Sequence, residues 1–280
     1  MMRPSARRAG FTLTEMLIAM VILSLIGASL TRVLVVQTRL FSKNAAMRNT
    51  RSVTRSAMNM IDSDLRMVEA THGIVSASST ALTLRVPYAL GVICGTTSGT
   101  TFISVAPVDS SVWATAGLTG YAWRDTTGVY NFTETSITVS SSSNAVCTAA
   151  SITTLTNGRT VAVTPGFPAG AVPGTVMFFE QQIKYEFKNS VAIPGAYGLF
   201  RTVVATNSSN ELVTPFTDQA VFRYYRLNAD TSQAAAPNPL SSTTGIEFKL
   251  AAQSATKTEG SSSPDTTTVT TAVFFRNRIQ

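Results

Sequence analysis

Gly10-Phe11-Thr12-Leu13-Thr14-Glu15, followed by residues 16–30 without a further charge, is the stretch on which the fold turns. Residues 11–31 form a run of 21 with a single charge, Glu15. At ~1.5 Å per residue such a helix reaches roughly 30 Å, enough to cross a bilayer core. A short basic leader with Arg3, Arg7 and Arg8 precedes it. An ordinary secretory signal has its small-residue cleavage site after the apolar region. Here the small residue, Gly10, lies before it, so a cut there leaves the anchor on the protein. Glu15 demands an explanation, because a carboxylate in hydrocarbon costs about 3 kcal/mol even on permissive insertion scales and normally has a partner.

The basic leader, the Gly10-Phe11 junction and a lone Glu15 at the mouth of an apolar helix together resemble the prepilin-type cleavage and methylation signal of type IV pilins and type II secretion pseudopilins. The resemblance covers about the first 30 residues. It implies cleavage after Gly10 by a prepilin peptidase and N-methylation of the new terminus, Phe11. It also implies that Glu15 pairs with the terminal amine of an adjacent subunit, which favours assembly in register. On the residues alone, a carboxylate snorkelling to headgroups is the other reading of Glu15. The partners implied are other minor and major pilins or pseudopilins, the peptidase, an inner-membrane assembly platform and membrane lipid.

Two features depart from simple expectation. Counting basic flanks sets Arg3, Arg7 and Arg8 against Arg32, Arg39, Lys43, Arg48 and Arg51, which by itself favours a cytoplasmic C-terminal domain. The resemblance implies the reverse: a single-pass inner-membrane protein with its head in the periplasm or outside the cell, incorporated in a filament. Many major pilins carry a helix-loosening proline at the position occupied here by Arg32. No proline occurs from Ser5 to Val86, which leaves Gly27 as the only weak point.

Beyond the apolar run, Met47, Thr54, Met58, Ile61, Leu65 and Val68 recur at helical spacing and lay an apolar stripe along one face. Arg48, Arg55, Asp62, Arg66 and Glu69 form a second stripe, with Asp62 and Arg66 four apart and able to pair. The helix is expected to run from Phe11 to about Ala70. His72 and Gly73 then end it, the glycine taking a left-handed cap conformation. Short alternating or β-branched runs follow at 81–88, 101–105, 136–139, 176–187, 198–204, 220–227, 245–250 and 267–275, separated by Gly, Ser, Thr and Pro clusters. Two long loops are expected, at 228–244 and 253–266.

The expected fold class is therefore α+β and pilin-like: a long N-terminal helix, membrane-spanning in its first half, packed on a mostly antiparallel β head. The boundaries are a leader at 1–10, a transmembrane segment at 11–31, an amphipathic continuation at 32–72 and a β-rich head at 73–280. In the C-terminal third, Ile183-Lys184-Tyr185, Leu199-Phe200-Arg201, Val221-Phe222-Arg223-Tyr224 and Ala272-Val273-Phe274-Phe275-Arg276-Asn277 resemble PilW-type minor pilins and J-type minor pseudopilins. A generic series of β hairpins is the other source of such a pattern.

Cys94 and Cys147 are the only cysteines. In an exported domain they are candidates for a disulfide closing about 50 residues, with two free, buried thiols as the alternative. Removing the leader leaves 19 basic residues against 15 acids, a mild excess. Arg39, Lys43, Arg48, Arg51 and Arg55 could meet headgroups, acidic neighbours or DNA. Only Phe41 lies among them, too little aromatic surface to stack bases, and DNA is disfavoured as a partner.

His72 is the sole histidine and reads as a cap, and Asp62 and Asp64 point in different directions on a helix. With no metal-ligand spacing, no phosphate-binding loop and no nucleophile elbow, neither an enzyme, a metal nor a cofactor is expected. The expected function is a minor pilin or pseudopilin that helps initiate or cap a type IV pilus or type II secretion pseudopilus. A filament-tip adhesin or DNA-uptake module is the alternative.

Overall fold

The computed structural model describes residues 12–69, 72–106, 116–154, 158–257 and 261–275. Helix α1 runs unbroken over Leu13–Leu65, 53 residues, or about 80 Å at 1.5 Å per residue. It contains no proline and a single glycine, Gly27, so nothing in its interior removes a backbone hydrogen bond. The chain falls into two compact units, Met1–Asn49 with Ser254–Asp265, and Thr50–Gln253 with Thr266–Gln280.

In the first unit the helix is exposed from Leu13 through Phe41. In the second, its last turns bury Thr50, Thr54, Ala57, Ile61 and Leu65 at spacings of four and three. Of the expected stripe, Thr54, Ile61, Leu65 and Val68 are buried, whereas Met47 and Met58 are only half-buried. Thr50 and Ala57 take the central places, so the seam lies slightly round the axis from where residue size placed it.

The helix also ends earlier than expected. The amides of Met67 and Val68 reach back only three residues, to the carbonyls of Asp64 and Leu65, closing tight turns in place of α-helical ones. Gly73 is not among the glycines with left-handed backbone. It is needed for another reason: a Cβ there would collide with Val68 Cγ1 and the Glu69 carbonyl.

The described strands are β1 (Ile74–Ala77), β2 (Ala81–Thr97), β3 (Thr100–Val105), β4 (Leu118–Arg124), β5 (Tyr130–Glu134) and β6 (Thr138–Ser142). After a short helix α2 (Ala145–Ala149) come β7 (Arg159–Thr164), β8 (Val176–Asn189), β9 (Tyr197–Val203), β10 (Ser208–Phe216), β11 (Val221–Arg226), β12 (Thr243–Lys257) and β13 (Pro264–Phe274). The main path is β11-β12-β10-β9-β8-β2-β3-β7-β6, with β1 on β2, β13 on β12, and β4 bridging β8 and β5. The pairings are antiparallel. This is the α+β, pilin-like layout, with the end of a long apolar helix packed on an antiparallel sheet.

Each of the eight expected runs overlaps a strand. The run at 136–139 does so only from Thr138, and those at 198–204, 220–227 and 267–275 overshoot their strands by a residue or two. The expected loop at 253–266 does not stand: β12 continues to Lys257 and β13 begins at Pro264, and the Asp265 amide donates to Ser254 Oγ at 3.0 Å. Serine and threonine there occupy a hairpin, where their polarity is compatible with extended backbone.

Two apolar clusters lie along the long central strands. The first joins Ala57, Ile61 and Leu65 of the helix to Leu82, Leu84, Ile183, Tyr185, Phe222 and Phe248. The second gathers Ile93, Ile103, Tyr121, Trp123, Val161, Met177 and Phe179. Strand β8 serves both with odd-numbered residues. Strand β2 switches from even positions, Leu82 and Leu84, to odd ones, Ala89 and Ile93, across a register shift between Pro87 and Ala89. One extra residue reverses the side-chain alternation, so β2 can feed both clusters.

Candidate processing and assembly site

Gly10 and Phe11, the expected cleavage and methylation positions, lie outside the described residues. The description starts at Thr12, where the chain enters the helix. The Thr12 amide donates to Glu15 Oε2 at 2.9 Å and its hydroxyl to the same oxygen at 3.0 Å. In return the Glu15 amide donates to Thr12 Oγ1 at 3.3 Å. This is a reciprocal capping box: Thr-x-x-Glu satisfies two amides that the first helical turn otherwise leaves unpaired. The carboxylate also sits at the positive end of the helix dipole. Both Thr12 bonds fall on Oε2, and Oε1 accepts none among the described residues. A carboxylate offers about four acceptor sites, so among the described residues the capacity of Oε1 is unused. Sequence reasoning singled out Glu15 but missed Thr12, although the Thr-x-x-Glu spacing was there to be read.

Behind this cap the helix presents side chains with nothing over them. Leu13, Met20 and Leu23 are 82%, 69% and 74% exposed. The helix is long and apolar enough to cross a membrane. Its hydroxyls satisfy themselves: Ser24 donates to the Val21 carbonyl at 2.8 Å, Ser29 to Leu25 at 2.9 Å and Thr31 to Gly27 at 2.8 Å. Thr38 repeats the pattern with Leu34 at 2.8 Å. Each hydroxyl is thereby compatible with hydrocarbon, where an unmet polar group costs several kcal/mol. The helix is continuous through Gly27 and Arg32, and a Cβ on Gly27 would meet no atom within 4 Å.

The remaining residues named from the sequence separate into distinct local roles. Cys94 of β2 and Cys147 of α2 are joined by a disulfide, with Cα atoms 4.6 Å apart. Both are buried. Arg39, Lys43, Arg48, Arg51 and Arg55 are exposed on the helix. Asp62 pairs with Arg66 at 2.7 Å. Asp64 instead faces the sheet, accepting from the Tyr185 phenol at 2.6 Å with Arg201 Nε at 3.4 Å. The His72 amide donates to Glu69 Oε2 at 2.7 Å, and its ring stacks on Phe132 at 4.8 Å between centroids.

Residues 5–31 match the family model described as the prokaryotic N-terminal methylation motif. No curated protein and no solved structure offers a match to the chain. The match brings Gly10, Phe11, Thr12 and Glu15 into one recognised signal, the prepilin-type signal of type IV pilins and pseudopilins.

Proposed function

We propose that this chain, which carries the prepilin-type signal and is pilin- or pseudopilin-like in layout, is a minor subunit that helps initiate or cap a type IV pilus or type II secretion pseudopilus. The signal implies processing by prepilin peptidase, anchoring by the apolar helix and assembly with other pilins. The observation that carries the reading is the capped Glu15. Its carboxylate is fixed at the helix start, with one oxygen engaged by Thr12 and the other accepting from no described residue, which leaves it for the amine of a neighbour in this reading.

In this reading the apolar helix holds the precursor in the inner membrane with its head on the periplasmic side, and cleavage after Gly10 exposes the Phe11 amine. An α-amino group with a pKa near ~8 is largely cationic at neutral pH. Its pairing with the open oxygen of Glu15 on the next subunit removes an unpaired charge from the apolar layer and sets the register. The minor role draws support from the size, about 270 residues after cleavage, and from the C-terminal strand motifs. The subunit has no reaction of its own.

The test is the intact mass and N-terminal peptide of the protein expressed with and without a prepilin peptidase, followed by its stoichiometry in sheared filaments. A peptidase-dependent start at methylated Phe11 and a few copies per filament support the reading. An unprocessed leader under both conditions overturns it, and abundance equal to the main subunit overturns the minor role.

A further inference from the structure

Beyond the end of α1, strands β2, β4, β5 and β8 border a cleft of about 500 Å³ that has no part in the assembly reading. A volume of that size is in the range that holds small ligands. The rings of Tyr130, Phe132 and Phe178 line it, and Glu180 lines it too although only 4% of that residue is exposed. Phe178 and Glu180 are even-numbered on β8, so they face away from the cluster built on Met177 and Phe179.

The charge arrangement is lopsided. Among the described residues the Glu180 carboxylate accepts no hydrogen bond. The one guanidinium at the cleft, Arg85, is already engaged: its Nε donates to Glu134 Oε1 at 2.5 Å, and its other nitrogens reach Glu134 and the His72 carbonyl. Glu69 lines the cleft as well. Three carboxylates thus surround a single occupied cation, in a chain whose formal net charge is +7. A buried carboxylate without a hydrogen bond burdens the fold, and a cation entering beside it relieves that burden.

We infer that this cleft binds an organic cation, an ammonium or guanidinium carried on an aromatic or alkyl body. Glu180 takes the charge, and the faces of Tyr130, Phe132 and Phe178 take the body, adding attraction between the cation and the ring faces. The same chemistry comes from two sources, a free small molecule or an arginine or lysine side chain of another protein.

The groups facing Glu180 are Arg85 from β2, Glu134 from β5 and Glu69 from the turn after α1. Burial dominates, and with the two other carboxylates it outweighs Arg85 and pushes the Glu180 carboxyl up to about 7. A cation binds the ionised form, so affinity falls as pH drops through that value and is level above it.

The experiment is calorimetric titration of the whole chain in detergent with benzamidine, using benzamide as the neutral isostere. Expected are saturable binding of benzamidine near ~pH 8, binding weaker by about tenfold or more for benzamide, and a loss of about tenfold on moving benzamidine to ~pH 6. Glu180→Gln should abolish the preference for the cation, and Phe132→Ala, which leaves every charge in place, should weaken both compounds. Absence of benzamidine binding, equal binding of benzamide, or an unchanged preference in Glu180→Gln overturns the inference. Displacement of benzamidine by a short arginine peptide, but not by its citrulline counterpart, assigns a protein side chain as the occupant. Binding of benzamidine undisturbed by the peptide assigns a free cation.

Discussion

Tyr185 and Asp64, separated by 121 positions in the chain, meet where the helix lies on the sheet, the phenol donating to Asp64 Oδ2 at 2.6 Å. The ring is buried in the apolar cluster beneath α1, while its hydroxyl reaches the last helical turn. Burial first, and the Asp64 carboxylate second, raise the phenol well above its ordinary range, so it stays protonated and keeps donating. Tyr185→Phe retains the ring and deletes only this bond, leaving Asp64 with Arg201. A hydrogen bond to a charged group contributes about 2 kcal/mol, and that loss is expected in the urea midpoint with the slope unchanged. An unmoved midpoint would show that the pair contributes nothing.

Glu180 makes stability depend on pH in the direction opposite to an ion-paired carboxylate. Burial raises its folded pKa from the ordinary glutamate value of 4.5 to about 7. Between those values the unfolded chain releases a proton that the folded chain keeps. Stability therefore falls as pH rises through that window, and the full cost is present above about 7. The shift corresponds to roughly 3 kcal/mol. Glu180→Gln is expected to stabilise the protein by about that amount near ~pH 8 and by almost nothing near ~pH 4. Equal gains at both pH values would place the effect in packing.

The bond between Cys94 and Cys147 closes a separation of 53 residues. In the chain-entropy account, a loop of that length stabilises the fold by about 4 kcal/mol. Cys94→Ser with Cys147→Ser should lower the thermal midpoint by many degrees under oxidising conditions. Wild type in reductant should approach the double variant. A double variant as stable as the oxidised parent would remove any structural role for the bridge.

Gly73 sits where a methyl group has no room, against Val68 Cγ1 and the Glu69 carbonyl. The backbone cannot yield as a flexible side-chain tip would. Gly73→Ala is expected to cost about 1–3 kcal/mol in chemical denaturation. A neutral substitution would mean that the turn between α1 and β1 relocates freely.

Thr12 and Glu15 allow the cap to be separated from assembly. Glu15→Ala removes the pairing group together with the carboxylate half of the cap, and should still be cleaved by the peptidase but fail to enter filaments. Thr12→Val removes only the hydroxyl half of the cap, at a helix cost of about 1 kcal/mol, and should still assemble. Immunoblots of sheared filaments against total membrane measure both. Normal incorporation of Glu15→Ala would sink the pairing mechanism.

The helix was legible in sequence because a charge-poor run followed by three-and-four spacing has few other outcomes. Its end was not, because residues 66–69 keep the helical spacing while Met67 and Val68 fold into tighter turns. Among strands, Arg159–Thr164 is rich in β-branched residues but does not alternate cleanly, since Thr160 and Val161 are adjacent and both buried, and the sequence reading does not include it. Ser208–Phe216 is harder to read: its first residues, Ser208, Ser209 and Asn210, have loop composition, yet they pair in register with Val203, Thr202 and Arg201. Leu118–Arg124 carries Gly120, which reads as a turn but permits close approach to Thr133 of β5. The parity change of β2 depends on an extra residue near Pro87, and alternation within one strand cannot announce it. For the sites, Glu15 stood out as a lone charge. Glu180 did not, because its burial and its aromatic surroundings come from strands far apart in the chain.

The hydroxyls of Ser24, Ser29, Thr31 and Thr38 turn inward onto their own helix. Between Glu15 and Arg32 the helix surface therefore carries neither a charge nor a free hydroxyl donor, and a step forward or back meets the same aliphatic texture. Such a stretch is graduated at its two ends and unmarked between them. In the proposed assembly, alignment between subunits is then decided at those ends, and the contact between them can adapt to whatever pilin lies alongside. A subunit read this way needs no tailored partner for each unlike chain along that stretch.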